Sequence, residues 1–110
     1  MRIVLDENLP RPLKRAFDVS HVVTTVQELG FSGLSNGALL AQLEGLFDVF
    51  VTSVKNLRYQ QNLSGRTLAI VELPTKRLPQ LLPLFDRIAA LVHAVTPGAY
   101  IEMQGEESSD

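Results

Sequence analysis

The sequence predicts an α/β fold: a single three-layer domain in which a central, mainly parallel sheet is flanked by helices. Two observations carry this expectation. Short apolar, β-branched runs at residues 2–5, 21–25, 48–54 and 67–73 alternate with segments whose apolar residues recur at helical spacing. The intervals between the runs are long enough for the helical crossovers that parallel neighbours require. The chain has 110 residues, 45% of them hydrophobic and 20% charged, which suits one hydrophobic core. Residues 1–104 are read as the domain and residues 105–110 as a disordered acidic tail.

Taken in order, Arg2, Ile3, Val4 and Leu5 form a buried strand that stops at the polar Asp6-Glu7-Asn8. A helix is expected over residues 9–17, capped by Asn8. Pro10 and Pro12 fall in its first turn, where N–H groups have no intrahelical partner. Residues 21–25 are the second strand, followed by a short helical stretch closing at Gly30 in a left-handed cap. Leu39, Leu40, Leu43, Leu46 and Phe47 then share one helical face behind Ser35 or Asn36 as cap. Residues 48–54 and 67–73 are the third and fourth strands, joined by the polar, partly helical segment 55–66. Beyond Pro74 and Pro79, Leu81, Phe85, Ile88, Val92 and Val95 predict one long amphipathic helix over residues 80–95. Its apolar face either covers the sheet or, where spare, serves a homodimer. Residues 100–103 form a last edge strand.

Composition narrows the function. The net charge is −2, and the acids of the tail (Glu106, Glu107, Asp110) leave the body close to neutral. Nucleic-acid binding through a whole-protein basic surface is therefore excluded, and any such binding needs a local patch. The chain has no cysteine, which removes disulfides, thiolate metal sites and cysteine nucleophiles. With no secretory or membrane-spanning apolar run, a cytoplasmic location and no membrane partner are expected.

In open α/β sheets ligands bind beyond the carboxyl ends of the strands, where the strand order reverses. With the first strand between the second and third, Asp6-Glu7-Asn8 and the segment from Thr52 to Asn56 open onto one crevice. Asp6 and Glu7 can hold a hard divalent cation through oxygen, or serve as helix-start acids that answer the macrodipole. Lys55, Arg58 and Tyr59 suit phosphate contacts and base stacking on single-stranded nucleic acid, and equally suit a solvated turn. Arg11, with Lys14 and Arg15, extends a basic rim or forms an outer helix face. His21 and His93 have no partner at ligand spacing, and no phosphate-binding glycine loop or nucleophile elbow occurs.

The run Ile3-Val4-Leu5-Asp6-Glu7-Asn8-Leu9-Pro10 resembles the opening of a bacterial PIN-like family of short single-domain proteins, related to the PIN-domain ribonuclease toxins of toxin–antitoxin pairs. The segment from Glu28 to Asn36, and Val51-Thr52-Ser53-Val54-Lys55-Asn56-Leu57, fall where that family has its second and third motifs. The resemblance runs to about Met103. It implies a PIN-like fold and a Mg²⁺- or Mn²⁺-dependent endoribonuclease, with RNA as substrate and a small antitoxin as partner. Asp6 matches the first metal acid, with Glu7 beside it. The third motif usually reads Thr-x-Asp-x-Asp or Thr-x-Asp-x-Asn; here its first acid is Val54 and its second position is Asn56, a neutral ligand at best. Asn36 stands where the family often has Asp. A partly degenerate metal site follows, and with it an alternative: a catalytically inactive PIN-like module that binds RNA or a partner. A receiver-like phosphate-binding domain would need an acid at the end of the third strand, where Val54 stands.

Overall fold

The computed structural model describes residues 1–104; the acidic tail expected at 105–110 lies outside them. Five strands, β1 (Arg2–Leu5), β2 (Val22–Thr25), β3 (Val49–Thr52), β4 (Ala69–Glu72) and β5 (Tyr100–Glu102), form one sheet in the order β2-β1-β3-β4-β5. Every pair is parallel, with Leu5 opposite both Thr25 and Val51, and Thr52 opposite Glu72. This is the doubly wound order in which the chain reverses direction between β1 and β3.

Strand alternation sorts the core into two layers. Ile3, Leu5, Val49, Val51, Ala69 and Val71 face one way, under Leu13 and the helical residues Leu81, Leu84, Ile88 and Val92. Val4, Phe50, Leu68 and Ile70 face the other way, under Leu39, Leu40, Leu43 and Leu57. The three-layer arrangement is therefore observed. The apolar face of the last helical segment covers the sheet.

Several elements differ from the expectation. Residues 9–17 form a 3₁₀ helix over Arg11–Ala16, with Pro10 as its cap residue and no side-chain cap from Asn8. Pro10 disfavours helical geometry at Leu9 and is itself extended, so the start slips to Arg11; Pro12 falls in the first turn, where its missing N–H costs no bond, and the short helix closes with tight i→i+3 bonds. Leu13 N–H donates to Pro10 O at 3.0 Å, and Phe17 N–H to Lys14 O at 3.2 Å. Residues 26–30 are turns, closed by Gly30 at φ 79° as its left-handed role required.

Helix α1 (Asn36–Leu43) is capped by Ser35, whose hydroxyl accepts from Ala38 N–H at 3.3 Å. It ends before Gly45 (φ 84°), so Leu46 is 51% exposed instead of sharing the buried face. After β3 comes a single turn, α2 (Leu57–Gln60). The expected helix over 80–95 is divided into α3 (Leu78–Leu81), a 3₁₀ turn over Leu82–Leu84, and α4 (Phe85–Ala94). Pro83 causes the break: it has no N–H for the carbonyl four residues back, and its ring collides with that carbonyl.

The connections do not share one hand. The β1–β2 crossover steps toward one edge of the sheet with its 3₁₀ helix on the first face. The β4–β5 crossover steps toward the other edge with α3 and α4 on that same face, so its hand is opposite. Because α1 and α2 lie on the second face, the other three crossovers share one hand. The last crossover departs from it and leaves the second face near β4 and β5 with little helical cover.

Gly98 closes the turn into β5, with its N–H donating to Thr67 O at 2.8 Å. Its φ is +77°, and a Cβ there would sit 2.7 Å from Arg66 O. Gly98→Ala is expected to destabilise the fold by about 1–3 kcal/mol, read as a lower midpoint in urea with an unchanged slope.

Candidate active-site crevice

At the carboxyl ends of β1 and β3, Asp6 continues β1: its N–H donates to Val51 O at 2.9 Å, which aims its side chain to the same face as Val4. The carboxylate is 7% exposed. Its Oδ2 accepts from Thr52 Oγ1 at 2.6 Å, and its Oδ1 from the Glu7 N–H at 2.8 Å. Thr52 Oγ1 in turn accepts from Val54 N–H at 3.1 Å, which ties the end of β3 to the end of β1. Burial pushes the Asp6 carboxyl above its ordinary value; the Thr52 hydroxyl and the Glu7 amide oppose that shift, and the Glu7 charge adds to it.

Glu7 is exposed and reaches across to the turn before α1, where Oε1 accepts from Gly33 N–H at 3.0 Å. The Glu7 carbonyl also accepts from Gln27 Nε2 at 2.9 Å. The result is a pocket of about 250 Å³ lined by Asp6, Glu7, Asn8, Gly33, Asn36 and Val54, among others. Among the described residues, Asp6 and Glu7 are its only acids. Asn36 at the start of α1 supplies a neutral amide, and Val54 a hydrocarbon. Asp6, Asn36 and Val54, taken from three distant segments, thus face one cavity.

The remaining predicted site residues lie elsewhere. Asn56 is exposed at φ 62°, the left-handed residue before α2, and does not line this pocket. Arg11 is exposed at the start of the first 3₁₀ helix. Arg58 lies on the thinly covered second face, its guanidinium 4.4 Å from the centroid of Tyr100 and 6.0 Å from that of Tyr59. Tyr59 is 77% exposed, open for stacking. Lys55 is held beside the ends of β3 and β4, donating from Nζ to Leu73 O at 3.1 Å and to Pro74 O at 3.0 Å.

Three features escape a reading of the sequence. A second pocket of about 280 Å³ adjoins the first through Asn8 and is lined by Ser53, Lys55, Thr75, Lys76 and Arg77. Only the 2-1-3-4-5 order, which places the loop after β4 beside the loop after β3, brings Lys76 and Arg77 there. Glu72 is a buried carboxylate at 2% exposure whose Oε1 accepts from Tyr100 Oη at 2.6 Å, and burial raises the Tyr100 phenol. Its place in an apolar strand gave no sign of a partner 28 residues away. At the amino ends of the strands, His21 and His93 meet edge to face at 6.0 Å, although 72 residues separate them in the chain.

Glu28, in the second motif segment, is committed to another task. It pairs with Lys14 Nζ at 2.9 Å and accepts from Thr25 N–H, and the Lys14 hydrogen bond, the largest cause, holds its carboxyl down at about 2. It is absent from the residues lining the Asp6 pocket.

No helix among the described residues is long and apolar enough to cross a membrane. Compared with protein-family models, with curated proteins and with solved structures, the chain has no match.

Proposed function

We propose that the chain is a PIN-like protein acting on RNA: a Mg²⁺- or Mn²⁺-dependent endoribonuclease with a partly degenerate metal site, the toxin-like member of a toxin–antitoxin pair in the cytoplasm. The observation that carries this reading is the shared pocket of Asp6, Glu7, Asn36 and Val54 at the switch point of the sheet. These are positions where the resemblance calls for metal acids or their neighbours. A buried carboxylate in a cleft, with its proton affinity raised and no cation beside it, is a recurring mark of a functional site.

The donor set fits a divalent cation in part. Asp6 and Glu7 offer charged oxygens and Asn36 a neutral carbonyl, while Val54 offers nothing. A cation held there would ease ionisation of a bound water and offset charge on phosphoryl oxygens during phosphodiester hydrolysis. Within the chain, Thr52 and the Glu7 amide fix the Asp6 carboxylate, and Gly33 fixes Glu7. Both acids are thereby oriented in advance, which spares the site reorganisation on binding.

A second reading is favoured by Val54 itself: with hydrocarbon in place of an acid, the pocket belongs to a catalytically inactive module that keeps RNA or partner binding. Incubation of single-stranded RNA with Mn²⁺ separates the two. Products are expected from the native protein, abolished by chelation and by Asp6→Ala. Cleavage by Val54→Asp alone would establish the inactive module, and cleavage by neither protein would overturn the nuclease reading.

A further inference from the structure

We propose that the pocket formed by Ser53, Lys55, Thr75, Lys76 and Arg77 is a subsite for a nucleic-acid phosphate next to the group held at Asp6. The polymer in this statement rests on the RNA reading above; the affinity for an anion rests on the pocket alone. Three cations line it and, among the described residues, no carboxylate does. Lys76 and Arg77 are exposed and have no ion-pair partner among the described residues. Unneutralised cations gathered in a concavity raise the local concentration of anions.

The cations are also positioned. Lys55 spends two of its three N–H donors on Leu73 O and Pro74 O, which pins the ammonium at the rim and leaves one donor for a ligand. Thr75 Oγ1 donates to Gln80 Oε1 at 2.7 Å and accepts from Arg77 N–H at 3.1 Å, so the loop carrying Lys76 and Arg77 is braced from within. The guanidinium of Arg77 supplies the forked donor set that matches phosphate oxygens.

Position selects a polymer over a small anion. Asn8 lines both pockets, and Ser53 and Val54, consecutive along the chain, line one each. The acidic and the basic cavity therefore lie on opposite sides of the same strand ends. A single strand crossing those ends can place one phosphate toward Asp6 and Glu7 and a neighbouring one among the cations. An isolated phosphate can use only the basic half.

The test uses the full chain in chelator, so that the acidic pocket holds no cation. Inorganic phosphate is expected to shift the amide resonances of Ser53, Lys55, Lys76 and Arg77 and to leave those of Glu7 and Gly33 in place. With Mn²⁺ in place of chelator, so that the charge of Asp6 and Glu7 is offset where the second phosphate sits, a labelled single-stranded RNA, read before cleavage products accumulate, should bind more tightly than a mononucleotide. Arg77→Ala and Lys76→Ala should each weaken RNA binding by about threefold to tenfold and lower the slope of log affinity against log salt by about 0.7. Arg2→Gln, at the opposite end of the strands, should change neither. Phosphate shifts scattered over other residues, or an RNA salt slope that neither variant alters, would overturn the subsite even if Mn²⁺ binds at Asp6. Equal affinity for mononucleotide and RNA would overturn the polymer assignment. Phosphate binding here together with no Mn²⁺ response at Asp6 would support the subsite while the nuclease reading falls.

Discussion

Val54→Asp is expected to tighten Mn²⁺ binding by about tenfold or more, because it adds a third carboxylate to a cavity that now offers Asp6, Glu7 and a neutral amide. The same change carries a cost without metal. Val54 packs against the second core layer, so an aspartate there exchanges apolar contact for a half-buried charge beside Asp6. The variant should therefore melt below the native protein in chelator and recover in millimolar Mn²⁺, since a ligand that binds only the folded state raises its stability. Calorimetric titration gives the affinity and thermal melts give the crossing. Equal Mn²⁺ affinities for native and variant would mean that position 54 does not face a cation site.

Asp6→Asn should separate stability from activity. The Asp6 carboxyl is raised above its ordinary value of 3.8 by burial, so the folded state holds a proton more tightly than the unfolded chain does. Stability attached to this group is present at low pH and is lost as pH rises from the unfolded value through the folded one. At pH 7 the buried charge is a net cost, which the amide removes while keeping an acceptor for the Glu7 N–H. Tm is expected to rise by about 2–5 °C at pH 7 and to differ little near pH 3, while Mn²⁺-dependent cleavage disappears. A lower Tm at pH 7 would show that the Thr52 and Glu7 hydrogen bonds outweigh the desolvation.

Much of the fold was legible because a strand buried on both faces has a simple signature. Ile3-Val4-Leu5, Val49-Phe50-Val51 and Ala69-Ile70-Val71 are continuous apolar runs, and each is fully buried. The meeting of Asp6 with the segment from Thr52 onward followed from placing β1 between its two neighbours. The breaks were less legible, since Leu81, Ile88 and Val92 keep helical spacing across Pro83 and the apolar period hides the interruption. Gly45 is the local sign that α1 stops short of Leu46, hidden by the helical spacing that continues through Leu46 and Phe47.

The site was legible in its acids and not in its surroundings. Asp6, Glu7 and the loss at Val54 are local facts of two motifs. Lys76 and Arg77 enter only through the β3–β4 pairing, and Arg58 is drawn to Tyr100 by a stacking contact between segments far apart in the chain. Glu44 accepts from the Thr67 and Leu68 amides at the entry to β4, a role that depends on where α1 ends and that no local motif signals.

The central claim, that the ends of β1 and β3 form one cation site, is tested most directly by Mn²⁺-induced broadening of the amide resonances of the native protein. Broadening should centre on Glu7, Gly33 and Val54 at low-millimolar Mn²⁺ and vanish in Asp6→Asn. Broadening that persists in that variant, or that centres on Asp18 and His21 at the other end of the sheet, would contradict the account.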